Sequence, residues 1–296
     1  MISVIICTHN PKCEIFSQVL DCLAKQTLPQ SDWELLIIDN ASQVSISSIY
    51  SFEDFSNVRV VVESKLGLTN ARICGYRESK FELIVFVDDD NLCDPNYLFH
   101  AKTIMKQNLT IGAIGGKSIP EFEVDPPTWF RECGLSLGCQ DYGDTHLTTD
   151  IKSSEIKPGF NYPYFAPIGT GLVIRRKCLG LFIDQIQSDP IRLNLGRKGT
   201  SLASGEDNDM VLCLLEAGWN VGYFPDLKIK HLIPAGRLAN DYLFRMAYES
   251  NKTWVMVLAI HNIAGWTPVF PWTLPLNDGP AVVRHVVVIE RQRAEM

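Results

Sequence analysis

Four short apolar runs, rich in Val and Ile, limit what this chain can fold into: ISVIICT (2–8), WELLIIDN (33–40), VRVVVES (58–64) and ELIVFVDD (82–89). They are continuous rather than alternating, which suits strands covered on both faces, as in a parallel sheet. Helical spacing fills the gaps between them. Ile15, Val19, Leu20 and Leu23 form one stripe, and Tyr97, Leu98 and Ala101 begin another after Pro95. Such alternation predicts a doubly wound α/β sheet with right-handed crossovers. Ligands of these sheets collect beyond the carboxyl ends of the strands. Those ends are polar here: Thr8, His9 and Asn10 close the first run, Asp39 and Asn40 the second, and Asp88, Asp89 and Asp90 the fourth. All three sets should meet in one crevice.

The acidic triplet needs a reason. In FELIVFVDDDN (81–91) a buried strand runs directly into three adjacent carboxylates, whose repulsion grows as water is excluded. A cation at the strand's end would relieve it, and so would a solvated turn. Composition narrows the ligand. With 46% hydrophobic residues the chain can bury a large core, and its formal charge of −7 leaves no general basic face for nucleic acid. An anion held in a local pocket stays compatible with that charge. The nine cysteines are scattered, with no CxxC pair, and predict free thiols in a cytoplasmic setting. MISVIICT enters a strand without a basic leader, and no run reaches the roughly 18 apolar residues of a membrane span.

From 120 to 167 the periodicity fails, and PEFEVDPPTWF and KPGFNYPYFAP predict long surface loops. IGTGLVIRRKCL (168–179) regains strand character, with Gly169 and Gly171 permitting close backbone approach. NLGRKGTSLASGED (194–207) has the composition of a lid. DNDMVLCLLEAGW (207–219) predicts a helix closed by Gly218, with Met210, Leu214 and Ala217 on one face. NVGYFPDLKIKHLI (220–233) predicts a strand, and Leu238 to about Ile263 a second helix. GWTPVFPWTLP (265–275) and the final VVRHVVVIERQRAEM are not placed by their pattern.

Four stretches taken together resemble glycosyltransferase family 2, the inverting nucleotide-sugar transferases of GT-A fold. They are VIICTHN with WELLIIDNAS, then GLTNARICGYRESKFELIVFVDDDN, then GEDNDM before AGWNVGYFPD, and KIKHLIP, covering roughly residues 2 to 240. The resemblance implies a divalent metal, Mn²⁺ or Mg²⁺, on the donor's diphosphate. Asp90 would ligate it directly, His231 would supply a further ligand, and Asp88 would face the ribose or the metal's water shell. Thr8, His9, Asn10 and Asp39 would line the nucleotide, with Asp39 accepting from a uracil imide. The family commonly has Pro-Thr-Tyr where this chain has Cys-Thr-His. Arg72, Asp89 and Arg237 complete the implied donor side. Asp207, in the ED motif, would be the base that deprotonates the acceptor, with Glu206 and Asp209 on the acceptor itself.

The implied domains are a GT-A unit over 1–237, with a nucleotide half (1–119) and an acceptor half (120–237), followed by a helical and aromatic extension over 238–296. The partners would be a nucleotide-sugar, probed first as a UDP-sugar, and a glycan or lipid-linked acceptor. Trp254 to Leu258 and the 265–275 stretch would allow peripheral contact with the inner face of a membrane. Oligomerisation stays open. Two rival classes share parts of the pattern. A nucleotidyltransferase would carry a Gly-rich basic signature after its first strand, which THNPKCEIF lacks. A non-catalytic sugar-binding relative could lose the triplet or the ED motif, and both stand here.

Overall fold

The computed structural model describes residues 1–132, 134–150 and 162–263. The first half runs β1 (Ile2–Thr8), α1 (Cys13–Ala24), β2 (Trp33–Asp39), α2 (Ile46–Ile49), β3 (Val58–Val62), α3 (Leu68–Glu78) and β4 (Leu83–Asp88). Then come β5 (Asn91–Cys93), α4 (Tyr97–Gln107), β6 (Ile111–Phe122), β7 (Leu147–Thr148) and β8 (Val173–Arg175). The remainder is α5 (Arg176–Ile186), α6 (Pro190–Leu193), α7 (Glu206–Glu216), β9 (Asn220–Ile233) and α8 (Asn240–Ile260).

One sheet takes the order β3-β2-β1-β4-β8-β6-β9-β5, with β7 beside β9. The expected parallel block is there: β1 pairs in parallel with β2 and β4, and β2 with β3. Successive residues of these strands serve opposite faces. Ile2, Val4 and Ile6 pack with Phe16, Val19 and Leu20 of α1 and with Tyr97 and Leu98 of α4. Ile5, Leu36 and Phe86 face the other way, toward Ala71 of α3, Phe182 of α5 and Met210 of α7. Both faces are covered, which is why these runs contain almost no polar residue.

Register places the polar strand ends. Thr8 lies opposite Asp39, and Cys7 opposite Asp88, so all three termini emerge on one edge. β9 then brings the far side of the sheet back. It pairs with β6 along its length and with β7 near its start, and on its other edge Ile229 to His231 pair antiparallel with β5, placing His231 opposite Asn91 and next to the triplet.

Two elements depart from the expected pattern. β6 was not foreseen as a strand, because IGAIGG has little strand propensity. Its glycines are a packing requirement: a Cβ on Gly116 would stand 2.0 Å from the Leu227 carbonyl oxygen on β9. Within 168–179 only Val173–Arg175 is strand, and α5 begins at Arg176. Cys178, Leu179, Phe182, Ile183 and Ile186 repeat with helical period and are buried, a face that a short apolar run does not reveal. The foreseen close approach does occur at Gly171, whose φ of +68° and contact with Tyr97 leave no room for a side chain.

A division after 119 would fall inside β6. α8 is packed on the rest: Leu243 and Met246 join a cluster with Phe130, Leu202 and Leu238, and Val257 joins the core beneath α7. In the run 254–258 Val257 is buried, Val255 is exposed, and Trp254, Met256 and Leu258 are half-buried. The 265–275 stretch and the closing tail lie outside the described residues. No described helix is long and apolar enough to cross a membrane, and the described cysteines are free thiols.

Candidate active site

At the polar edge lies a cleft of about 970 Å³ lined by Thr8, His9, Arg72, the triplet, Glu206, Asp207, His231 and Arg237. Ten of the thirteen expected site residues therefore share one space. Asn10, Asp39 and Asp209 are not on its walls.

The β1 wall is short and tied down. The Thr8 hydroxyl donates to Asp89 Oδ2, and His9 Nδ1 lies 2.8 Å from the Asn40 carbonyl oxygen. Asn40 lines the cleft, while its neighbour Asp39 turns away and accepts from the backbone N–H groups of Ser42 (3.0 Å) and Ile46 (3.2 Å). Asp39 thereby shapes the turn after β2. Asn10, at φ 49°, accepts from the Gln43 N–H at 2.8 Å and closes the same turn.

The triplet is held by a residue the motif reading passed over. Buried Asn91 accepts from the Asp88 N–H at 3.2 Å and donates to Asp90 Oδ1 at 3.1 Å. Asp90 Oδ2 faces Arg237 Nη2 at 3.0 Å and His231 Nε2 at 3.4 Å. Burial raises the Asp88 carboxyl above its usual range. Burial, with the Asp90 charge added, pushes Asp89 up to about 7. At Asp90 burial works against the charge, but the His231 hydrogen bond and the Arg237 cation win and hold it below the usual carboxylate range. Three adjacent carboxylates coexist because only one is fully paired with cations while two are protonated more easily. His231 is itself pushed up to about 10, its burial outweighed by Asp90 and by Cys139, whose Sγ lies 3.7 Å from Nδ1.

Across the cleft, α7 starts with three carboxylates in different settings. Glu206 is buried and paired with buried Arg72, Nη1 to Oε2 at 3.3 Å. Burial raises the Glu206 carboxyl despite that pairing, and Arg72 also lies over the Phe86 ring at 5.0 Å. Asp207 is half-buried in the cleft, oriented by the N–H groups of Gly169 and Asn208, both at 2.9 Å. A Cβ on Gly169 would stand 2.8 Å from Arg72 Nη2, so the expected close approach serves this contact. Asp209 points the opposite way. It is fully buried, takes two hydrogen bonds of 2.9 Å from Arg192, and lies 2.7 Å from His261 Nε2.

Asp209, Cys213 and His261 also have the spacing of a metal cluster. Arg192 already fills that role, with Nη2 against both the Asp209 carboxylate and Cys213 Sγ (2.7 Å), and His261 Nδ1 meets Glu216 at 2.7 Å. This is an ion-paired knot tying α7 to the end of α8.

The last wall includes the aromatic stretch around Tyr162, whose rings could serve a sugar or the core on sequence grounds, and α8, whose part in it the sequence does not show. Ser250, Asn251 and Trp254 of α8 line the cleft beside Tyr162, which accepts from Asn208 Nδ2 at 2.8 Å. The Tyr162 and Trp254 rings meet edge to face at 5.1 Å. Tyr162 belongs to the aromatic stretch 160–165, of which 160 and 161 lie outside the described residues. No local signal separates a cleft-facing Trp from a core one, because the helical stripe is the same.

Known proteins resemble this chain in sequence and in fold. The sequence model of glycosyl transferase family 2 matches residues 3–177. A glucosyl-dolichyl phosphate glucuronosyltransferase of Haloferax volcanii is 21% identical over 87% of this chain and 77% of its own length. An uncharacterized glycosyltransferase of Haemophilus influenzae is 26% identical over 73% of this chain and 62% of its own. Among solved structures, S. aureus TarS 1-349 in complex with UDP-GlcNAc superposes with a TM-score of 0.59 at 14% identity, over 99% of this chain and 72% of that one. The mannosyltransferase PcManGT from Pyrobaculum calidifontis, in complex with GDP-Man and Mn²⁺, gives 0.58 at 16% identity, over 100% and 80%. At such identities these two superpositions show a shared fold, the GT-A glycosyltransferase fold.

Proposed function

Because the chain belongs to glycosyl transferase family 2, we propose that it moves a sugar from a nucleoside-diphosphate sugar to an acceptor hydroxyl with inversion. The observation that carries this reading is one cleft with the Asp90–His231 pair on one side and oriented, half-buried Asp207 on the other. The donor set fits a divalent cation that takes the place of the His231 proton: a carboxylate oxygen from the turn after β4 and an imidazole nitrogen from β9 converge at 3.4 Å. An imidazole in the set suits Mn²⁺ better than Mg²⁺, which prefers oxygen ligands and water. When bound, such an ion would offset charge developing on the leaving diphosphate.

The chain's own residues do the rest. Thr8, His9 and Asn40 form the wall for the nucleotide, with UDP the first nucleotide to test. Asp207 takes the proton of the acceptor hydroxyl as that oxygen bonds to the anomeric carbon and the bond to the diphosphate breaks. Glu206 is committed to Arg72 and Asp209 to Arg192, which leaves Asp207 as the carboxylate of α7 open to an acceptor. Tyr162, Asn251 and Trp254 offer an aromatic and amide surface for an acceptor sugar. The relative named for glucosyl-dolichyl phosphate supports a lipid-linked glycan as the acceptor to try first.

The test is hydrolysis of a panel of UDP- and GDP-sugars with and without Mn²⁺, followed by NMR of the released sugar. The expected result is Mn²⁺-dependent turnover of one donor with the anomeric configuration inverted. Retained configuration, or no turnover of any donor, would overturn the reading. Asp90→Ala should abolish the Mn²⁺-dependent part of UDP affinity in calorimetry, because Asp90 Oδ2 is one of the two converging ligand atoms.

A further inference from the structure

The two atoms best placed for a cation already have one. Arg237 Nη2 is 3.0 Å from Asp90 Oδ2, and Arg237 Nη1 is 3.2 Å from His231 Nε2. Those two atoms, Asp90 Oδ2 and His231 Nε2, are themselves 3.4 Å apart. A divalent ion bonded to both would stand where the guanidinium lies, so the arginine and the ion exclude each other.

The surroundings make an exchange feasible. Arg237 sits on the short turn Ala235–Leu238 just after β9, and a third of its side chain is exposed (33%), against 5% for His231 and 10% for Asp90. Its head has solvent to move into, while His231 stays on β9 and Asp90 on the turn between β4 and β5. Withdrawing Arg237 with nothing in its place would remove one of the two cations that hold the buried Asp90 charge, which is unfavourable. The arginine therefore departs only as another cation arrives. Once free, its planar fork matches the paired oxygens of a diphosphate better than a point charge does.

We propose that Arg237 is an exchangeable counter-ion, competing with the divalent metal for Asp90 and His231 and released to the donor's diphosphate when metal and donor bind together. This rests on the reading of the cleft as a metal and diphosphate site. It assigns Arg237 opposite effects on the two ligands: alone, the metal must displace it; with a diphosphate present, the displaced arginine gains a new partner. Metal and nucleotide then strengthen each other's binding, and by linkage the effect is equal in both directions.

The experiment is a Mn²⁺ titration of the full chain, read by EPR of free Mn²⁺, with and without UDP, for wild type, Arg237→Gln and Arg237→Lys. Arg237→Gln should bind Mn²⁺ alone more tightly than wild type, by roughly tenfold, the usual scale of such coupling. Its Mn²⁺ affinity should gain much less from UDP than that of wild type. Arg237→Lys, which keeps a cation beside Asp90, should stay close to wild type for Mn²⁺ alone. Unchanged or weaker Mn²⁺ binding in Arg237→Gln would overturn the exchange while leaving the metal site standing. Equal tightening in Arg237→Lys would also overturn it, since loss of the competing charge could not then be the cause. Absence of Mn²⁺ binding by wild type even with UDP would remove the metal reading, and the exchange with it.

Discussion

Three carboxylates within four residues of α7 show how far a side chain's identity underdetermines its work. Glu206 faces an arginine from α3, Asp207 faces the cleft, and Asp209 faces an arginine from α6. Asp207→Asn keeps the shape and both backbone contacts but cannot take a proton. Transfer should fall by roughly 10²-fold or more, the scale of a lost positioned base, with UDP affinity unchanged in calorimetry. A near-normal rate would move the base elsewhere. Asp209 belongs to stability instead. Asp209→Ala strands Arg192 and His261 in the core, and should cost about 3–5 kcal/mol and lower Tm by roughly 10 °C. Acceptor KM, measured well below that Tm, should not move; a large rise would return Asp209 to the acceptor side. The ED motif was legible through its likeness to the family's motif. The division of labour was not, because each partner comes from a different element.

Among the elements, α8 changes meaning most. A stripe of Trp, Met and Val reads as core or as a membrane face, and in the fold part of it is a wall of the cleft. Trp254→Ala should raise acceptor KM by roughly tenfold, the cost of losing a buried aromatic anchor of more than 1 kcal/mol, while donor hydrolysis stays unchanged. A parallel loss of hydrolysis would show that the ring serves the whole cleft rather than the acceptor. The end of α8 is pinned by His261, where burial opposes the proton but Asp209 and Glu216 prevail and push the imidazole up to about 11. Its folded pKa thus lies above the ordinary value of about 6.5, so its stabilisation is complete below that pH and is lost as pH rises toward 11. The Tm gap between wild type and His261→Gln should therefore be widest near pH 6 and shrink steadily toward pH 10. A gap that stays constant with pH would mean that His261 acts through packing alone.

For the whole molecule, the packing of α8 predicts that the chain through 237 does not fold stably by itself. Burying Leu243, Met246 and Val257 contributes about 1.5–3 kcal/mol each, comparable in sum with the 5–15 kcal/mol that typically separates folded from unfolded domains. A chain ending at 238 should lose its cooperative thermal transition or aggregate, with a chain ending at 263 as the reference. An unchanged transition would make α8 an accessory. The α/β class, the parallel block of four strands and the polar edge were readable from sequence. Apolar runs covered on both faces, and the abrupt polar residues that end them, are local patterns. The triplet, the ED pair and His231 were readable as a set only through the resemblance of their motifs, in order, to glycosyltransferase family 2. Tertiary structure alone decided that β9 returns beside β5 to set His231 and Arg237 against Asp90, that Asp39 and Asp209 face away from the cleft, and that α8 closes it. Those outcomes depend on strand order and on which arginine reaches which carboxylate. They are contacts between residues far apart in the chain, and no local pattern carries them.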